Sequence, residues 1–184
     1  MQYVALFRGI NVGGMNAVKM DELKKLFEEL GFPDVRSYIQ SGNILFSSDL
    51  GKEEIHEVLM TEFARHFGFE AGIHLRSRDE LAQTVEGLPF TEEEIKAAEA
   101  ADPNVTHLYV YFLDQPIGPE QLDVIRMEYA GPDEIATDHS EIYLLTHQGM
   151  RQSRMPSRIV KTFTASTARN WSTTIRLLEM MDEK

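Results

Sequence analysis

A chain of 184 residues with 42% hydrophobic content has the length for one large domain or two small ones and the composition of an ordinary folded protein. It has no run of about 18 apolar residues, and the opening Met1-Gln2-Tyr3-Val4-Ala5-Leu6-Phe7-Arg8 lacks a secretory signal's basic start and cleavage site, so a cytosolic location without a membrane partner is expected. The absence of cysteine removes disulfides, thiol nucleophiles and thiolate metal sites, and a net charge of -12 argues against a nucleic-acid partner, because phosphate backbones reward a basic surface.

Gln2 to Arg8 is mostly apolar without clean alternation, the pattern of a strand buried on both faces. Leu23, Leu26, Phe27 and Leu30 form the stripe of an amphipathic helix closed by Gly31. Val35 to Gln40 and Asn43 to Ser47 flank Ser41-Gly42 and predict a hairpin in which Ile39 faces Ile44 and Tyr38 faces Leu45. Asp49 is placed to cap a second helix carrying Ile55, Leu59, Phe63 and Phe67, with Gly68 beyond its end, and Glu70 to Arg76 reads as a strand. Residues 78–104 are acidic and helical, and Thr91 and Glu94 have capping-box spacing.

The pattern then restarts. His107 to Leu113 predicts a strand, Pro119 opens a helix bearing Leu122, Ile125 and Tyr129, and Glu134 to Thr137 with Glu141 to Thr146 form a second hairpin. Arg158 to Phe163 is a short helix, and Trp171, Ile175 and Leu178 belong to a last helix expected to start near Ser166 or Thr167. The expected architecture is therefore α+β: two ferredoxin-like βαββα halves with antiparallel sheets, at residues 1–77 and 105–184, joined by the acidic helical connector 78–104. With Ile39, Ile44 and Phe46 on the helix side, Tyr38 and Leu45 are left on the other sheet face, to be covered by the other half or by a second copy in a homodimer.

Charge is segregated along the chain. No carboxylate side chain lies between Glu141 and Glu179, where Arg151, Arg154, Arg158, Lys161, Arg169 and Arg176 are found, so the net charge divides into +6 there and -18 elsewhere. Such a field marks a place for an anion, or else a solvated face paired with the acidic body. The loop Arg8-Gly9-Ile10-Asn11-Val12-Gly13-Gly14-Met15-Asn16-Ala17-Val18-Lys19 has residues that tolerate positive φ and could converge its amides on an anion, with Arg8 and Lys19 beside it; equally, it is a plain turn-forming loop. It matches neither a Walker A loop nor a dinucleotide fingerprint.

Arg8-Gly9-Ile10-Asn11-Val12-Gly13-Gly14, Leu30-Gly31-Phe32, Tyr38-Ile39-Gln40-Ser41-Gly42-Asn43 and Arg169-Asn170-Trp171, in this order over nearly the whole chain, resemble the bacterial domain-of-unknown-function family 1697. The resemblance implies an α+β fold of repeated βαββ-type units and no established activity. The family looks to carry Gly-x-Gly-Arg-Ser-Lys-Leu after the late hairpin, where this chain has Gly149-Met150-Arg151-Gln152-Ser153-Arg154-Met155, with the positive charge kept.

The candidate ligand-binding set is Arg8, Asn11, Gly13, Gly14, Lys19, Gln40, Asn43, Arg154, Arg169 and Asn170, expected to line one cleft for a phosphate-bearing or other anionic small molecule, with Arg169 and Asn170 at the start of the last helix. Two alternatives stand beside it: a non-catalytic, self-associating interaction module, and RNA binding on a sheet face through Tyr109 and Tyr111. The six histidines have no zinc-site spacing, Asp138-His139-Ser140 are neighbours that cannot aim at one point, and no cofactor, general base or nucleophile is identified.

Overall fold

The computed structural model describes residues 1–127 and 129–183, and the chain divides into two compact units. The first comprises Met1–Ala82 with the returning segment Arg176–Lys184, and the second comprises Gln83–Ile175. Among the described residues the protein is α+β, with seven helices and two four-stranded antiparallel sheets. None of these helices is long and apolar enough to cross a membrane.

In the first unit β1 (Gln2–Arg8), α1 (Met20–Glu29), β2 (Arg36–Tyr38), β3 (Asn43–Ser47), α2 (Lys52–Phe67) and β4 (Gly72–Ser77) build a ferredoxin-like half with strand order β2-β3-β1-β4. Alternate residues of β1 enter the helix-side core: Tyr3, Ala5 and Phe7 pack with Ile44, Phe46 and Ile73 of the sheet and with Leu23, Phe27, Leu59 and Phe63 of the helices. Edge contacts run through this core, with Phe27 and Phe46 ring centroids 5.1 Å apart. Val4, Leu6 and Leu45, on the opposite face, are buried as well, so β1 lacks alternation because both of its faces are covered. Leu45 is therefore buried within its own chain.

After α3 (Arg78–Glu86) and α4 (Glu92–Ala101), the second unit repeats the plan with β5 (Leu108–Phe112), α5 (Pro119–Met127), β6 (Glu134–Asp138), β7 (Glu141–Leu145), α6 (Met155–Thr162) and β8 (Thr167–Asn170), in the order β6-β7-β5-β8. Its core joins Tyr111, Ile142 and Leu144 to Leu122, Ile125, Met155 and Ile159. Tyr109 and Tyr111 do share a face, but it is the helix side: Tyr111 is 2% exposed and offers no open ring for stacking. Thr91 and Glu94 form the expected capping box at the start of α4, whose Ala98 packs on Leu108 and Leu145.

Four local expectations are corrected. The first hairpin is connected by four residues, not two: Tyr38 pairs with Asn43 and Arg36 with Leu45, and Ile39 sits in the loop at φ +50, largely exposed rather than on the helix side. Gly51, not Asp49, occupies the N-cap position of α2, because the preceding turn is already closed by the Leu50 amide donating to Ser48 Oγ. Tyr129 lies beyond the end of α5 and packs on the core from there. Finally, Thr167–Asn170 is a strand, not the first turn of the last helix, α7 (Trp171–Asp182); it supplies the fourth strand that satisfies the outer edge of β5.

The two halves agree in detail. Val4 lies between Leu45 and Arg76, and Val110 lies between Tyr143 and Arg169, so each edge strand places a buried arginine at the same position. The next residue caps the following helix in both cases: Ser77 Oγ accepts from the Glu80 amide, and Asn170 Oδ1 accepts from the Thr173 amide.

Candidate functional site

The glycine loop is a braced miniature hairpin. Gly13 and Gly14, at φ +59 and +78, form a two-residue turn with both central φ values positive, which Val12 and Met15 close by pairing. Asn11 Nδ2 donates to the Val18 and Gln40 carbonyls, and its Oδ1 accepts from the Val18 amide. Asn16 Nδ2 donates to Gly9 O. The amides of Asn11, Met15 and Val18 are thus already bonded inside the loop, which weakens its reading as an amide cradle.

Structure in the first unit does bring several sequence candidates together. Asn11 touches Gln40 directly, and Gln40 belongs to the loop ending at Asn43. Asn43 is fully buried, and its amide donates to Tyr38 O and Ser41 Oγ, holding the hairpin tip. Arg8 is half-buried, with its methylenes lying against Gly72, and Lys19 is exposed and paired to Glu22 at 3.2 Å. Most polar residues of this set therefore have a structural task.

In the second unit Arg169 is 6% exposed and its guanidinium donates to Thr167 Oγ1 and Ala168 O. Burial pulls its pKa down to about 10, since a low-dielectric setting disfavours the charged form. Arg169 thus belongs to the sheet and not to a helix start, and Asn170 uses its side chain to cap α7. Trp171 packs with Phe90 and Ile95 around Leu108 and Leu145.

Arg154 lies elsewhere in this unit, on a groove of about 530 Å³ between α5 and α6. The sequence Met155-Pro-Ser-Arg-Ile-Val-Lys-Thr162 buries Met155 and Ile159 on one side of α6. That spacing turns Arg154, Arg158 and Lys161 to another flank, where they face Val124 and Ile125 of α5, and among the described residues no carboxylate lines the groove. Sequence reasoning picked out these cations but took only Arg154 into the site; their i, i+4, i+7 spacing carried the missing signal.

A network that no sequence spacing reveals ties the two walls together. The Asp133 carboxylate accepts from the Tyr129 hydroxyl just past α5, from Ser153 Oγ just before α6, and from the His147 amide at 3.0 Å. Ser153 Oγ also accepts from the Met155 amide at 2.9 Å, which fixes the start of α6 beside Arg154. Burial opposes ionisation of Asp133, but the bonds from Ser153, Tyr129 and His147 outweigh it and hold the carboxyl below its usual range.

The chain is similar to the conserved bacterial protein SP0830 from Streptococcus pneumoniae, with a TM-score of 0.71 and 25% identity over 97% of both chains. No curated protein matches the sequence. A family model described as a protein of unknown function, DUF1697, matches residues 1–143, and the chain belongs to that family.

Proposed function

We propose that this protein binds a phosphate-bearing or other anionic small molecule, and that the groove between α5 and α6 receives it. The observation that carries the reading is the grouping of Arg154, Arg158 and Lys161 on a concave surface in a chain of net charge -12. Concavity separates this from a solvated basic face, because a cleft with low-dielectric walls concentrates the field of its charges.

Thermal shift with free phosphate, pyrophosphate, sugar phosphates and nucleotides tests the proposal. A ligand at a hundred times its dissociation constant stabilises the fold by about 2.7 kcal/mol, which for a chain of this size is roughly 5–10 °C. The double substitution Arg154→Gln, Lys161→Gln is expected to abolish the shift with little change in the unliganded melting temperature. A panel without any shift, or an equal shift in the double variant, removes the groove as the binding site.

A further inference from the structure

We infer that the first unit holds a separate site, a groove for a small organic amine, in which Asp49 meets the ammonium group while Leu30, Pro33 and Leu50 cover the hydrocarbon. The groove has a volume of about 360 Å³ and lies between the end of α1 and the turn that follows β3. That volume is within the range of small-molecule sites. Asp49 lines the groove and is exposed, and among the described residues its carboxylate has no ion pair or hydrogen bond. The sequence suggests this acid as the cap of α2, but Gly51 takes that position and Ser48 closes the turn. Its charge is left without a structural task.

The end of α1 adds to the negative field. The amides of Leu30, Gly31 and Phe32 turn back onto the carbonyls of Leu26, Glu28 and Phe27, and Pro33 has no amide to offer Glu29. The Glu29 and Leu30 carbonyls therefore accept no bond among the described residues, and the last turn has no basic residue to complement them. Glu28 and Glu29 are paired to Lys24 and Lys25, so the charge offered to a ligand is that of Asp49 and the helix end. Of the lining groups only the Met1 ammonium is positive, and it donates to the Ser48 carbonyl at 2.9 Å. Leu50 is 40% exposed, an apolar wall that a hydrated metal ion does not use and that the body of an amine covers.

The test is titration of the full chain, followed by amide chemical shifts, with phenethylammonium, its uncharged isostere phenethyl alcohol, the anion hydrocinnamate and a lysine-rich peptide. Phenethylammonium is expected to move the Gly31, Ser48 and Leu50 resonances saturably and to bind about fivefold tighter than the alcohol, with hydrocinnamate weaker still. Asp49→Asn should bring the amine down to the affinity of the alcohol at an unchanged melting temperature, because this carboxylate has no bond to lose; Leu50→Ser should weaken both. An amine that binds no tighter than the alcohol or the acid, or that binds Asp49→Asn as well as the parent, overturns the inference. So does the absence of saturable shifts at these residues with every probe. A lysine-rich peptide that binds tighter than phenethylammonium overturns it too and identifies a protein partner as the occupant. The anion groove between α5 and α6 is untouched by any of these outcomes.

Discussion

Asn11, Asn43 and Asn170 look like ligand groups in the sequence because asparagine offers both a donor and an acceptor, yet in the structure each spends its side chain on the backbone nearby. The same chemistry that recognises a ligand also closes a turn or caps a helix, and residue type alone does not distinguish them. Gly42 shows a second kind of local requirement. Its φ is +73, and an added Cβ would lie 2.6 Å from Ile10 Cδ1 and 2.7 Å from Phe7 Cβ. Gly42→Ala therefore combines left-handed backbone strain with a clash against the core and is expected to cost about 3 kcal/mol. Urea unfolding measures this as a lower midpoint at unchanged slope; a midpoint within error of the parent would mean that the loop relaxes freely.

At the scale of elements, hydrophobic period and glycine punctuation disclose β1, α1, α2 and the second hairpin, because each buries its own stripe and ends at a residue that breaks it. Two elements escape this logic. The tip of the first hairpin has two more residues than Ser41-Gly42 suggests, since Ile39 takes up a left-handed conformation that its β-branched side chain disfavours. Strand β8, Thr167-Ala-Arg-Asn170, has no apolar alternation; it is extended because β5 presents an unpaired edge to it. That pairing leaves Asn170 to cap α7. Asn170→Ala should destabilise the protein by about 1 kcal/mol and Asn170→Asp by much less, as read from denaturant midpoints; equal losses in the two variants would refute the capping role.

For the molecule as a whole, the first unit is discontinuous: it is completed by Arg176–Lys184, more than ninety residues downstream of Ala82. Arg78 holds Asp182 through two contacts of 2.9 and 3.2 Å, and Leu177 and Met181 are 0% and 3% exposed. Burying each of those apolar side chains contributes about 2 kcal/mol, so a chain ending at Ile175 is expected to lose several kcal/mol, visible as a melting temperature lowered by roughly 10 °C or more. Retention of the parent melting temperature would show the returning segment to be dispensable. The sequence by itself determined the repeated α+β plan, because covering a sheet imposes a period of two on strands and 3.6 on helices, and it determined the separation of charge, which is written in residue type. Tertiary structure alone decided which cations share a concave surface, which asparagines are already bonded, that Asp133 joins partners 4, 14 and 20 residues away, and that residues 167–170 form a strand. Those outcomes depend on groups brought together across long stretches of chain, and no local pattern encodes such an encounter.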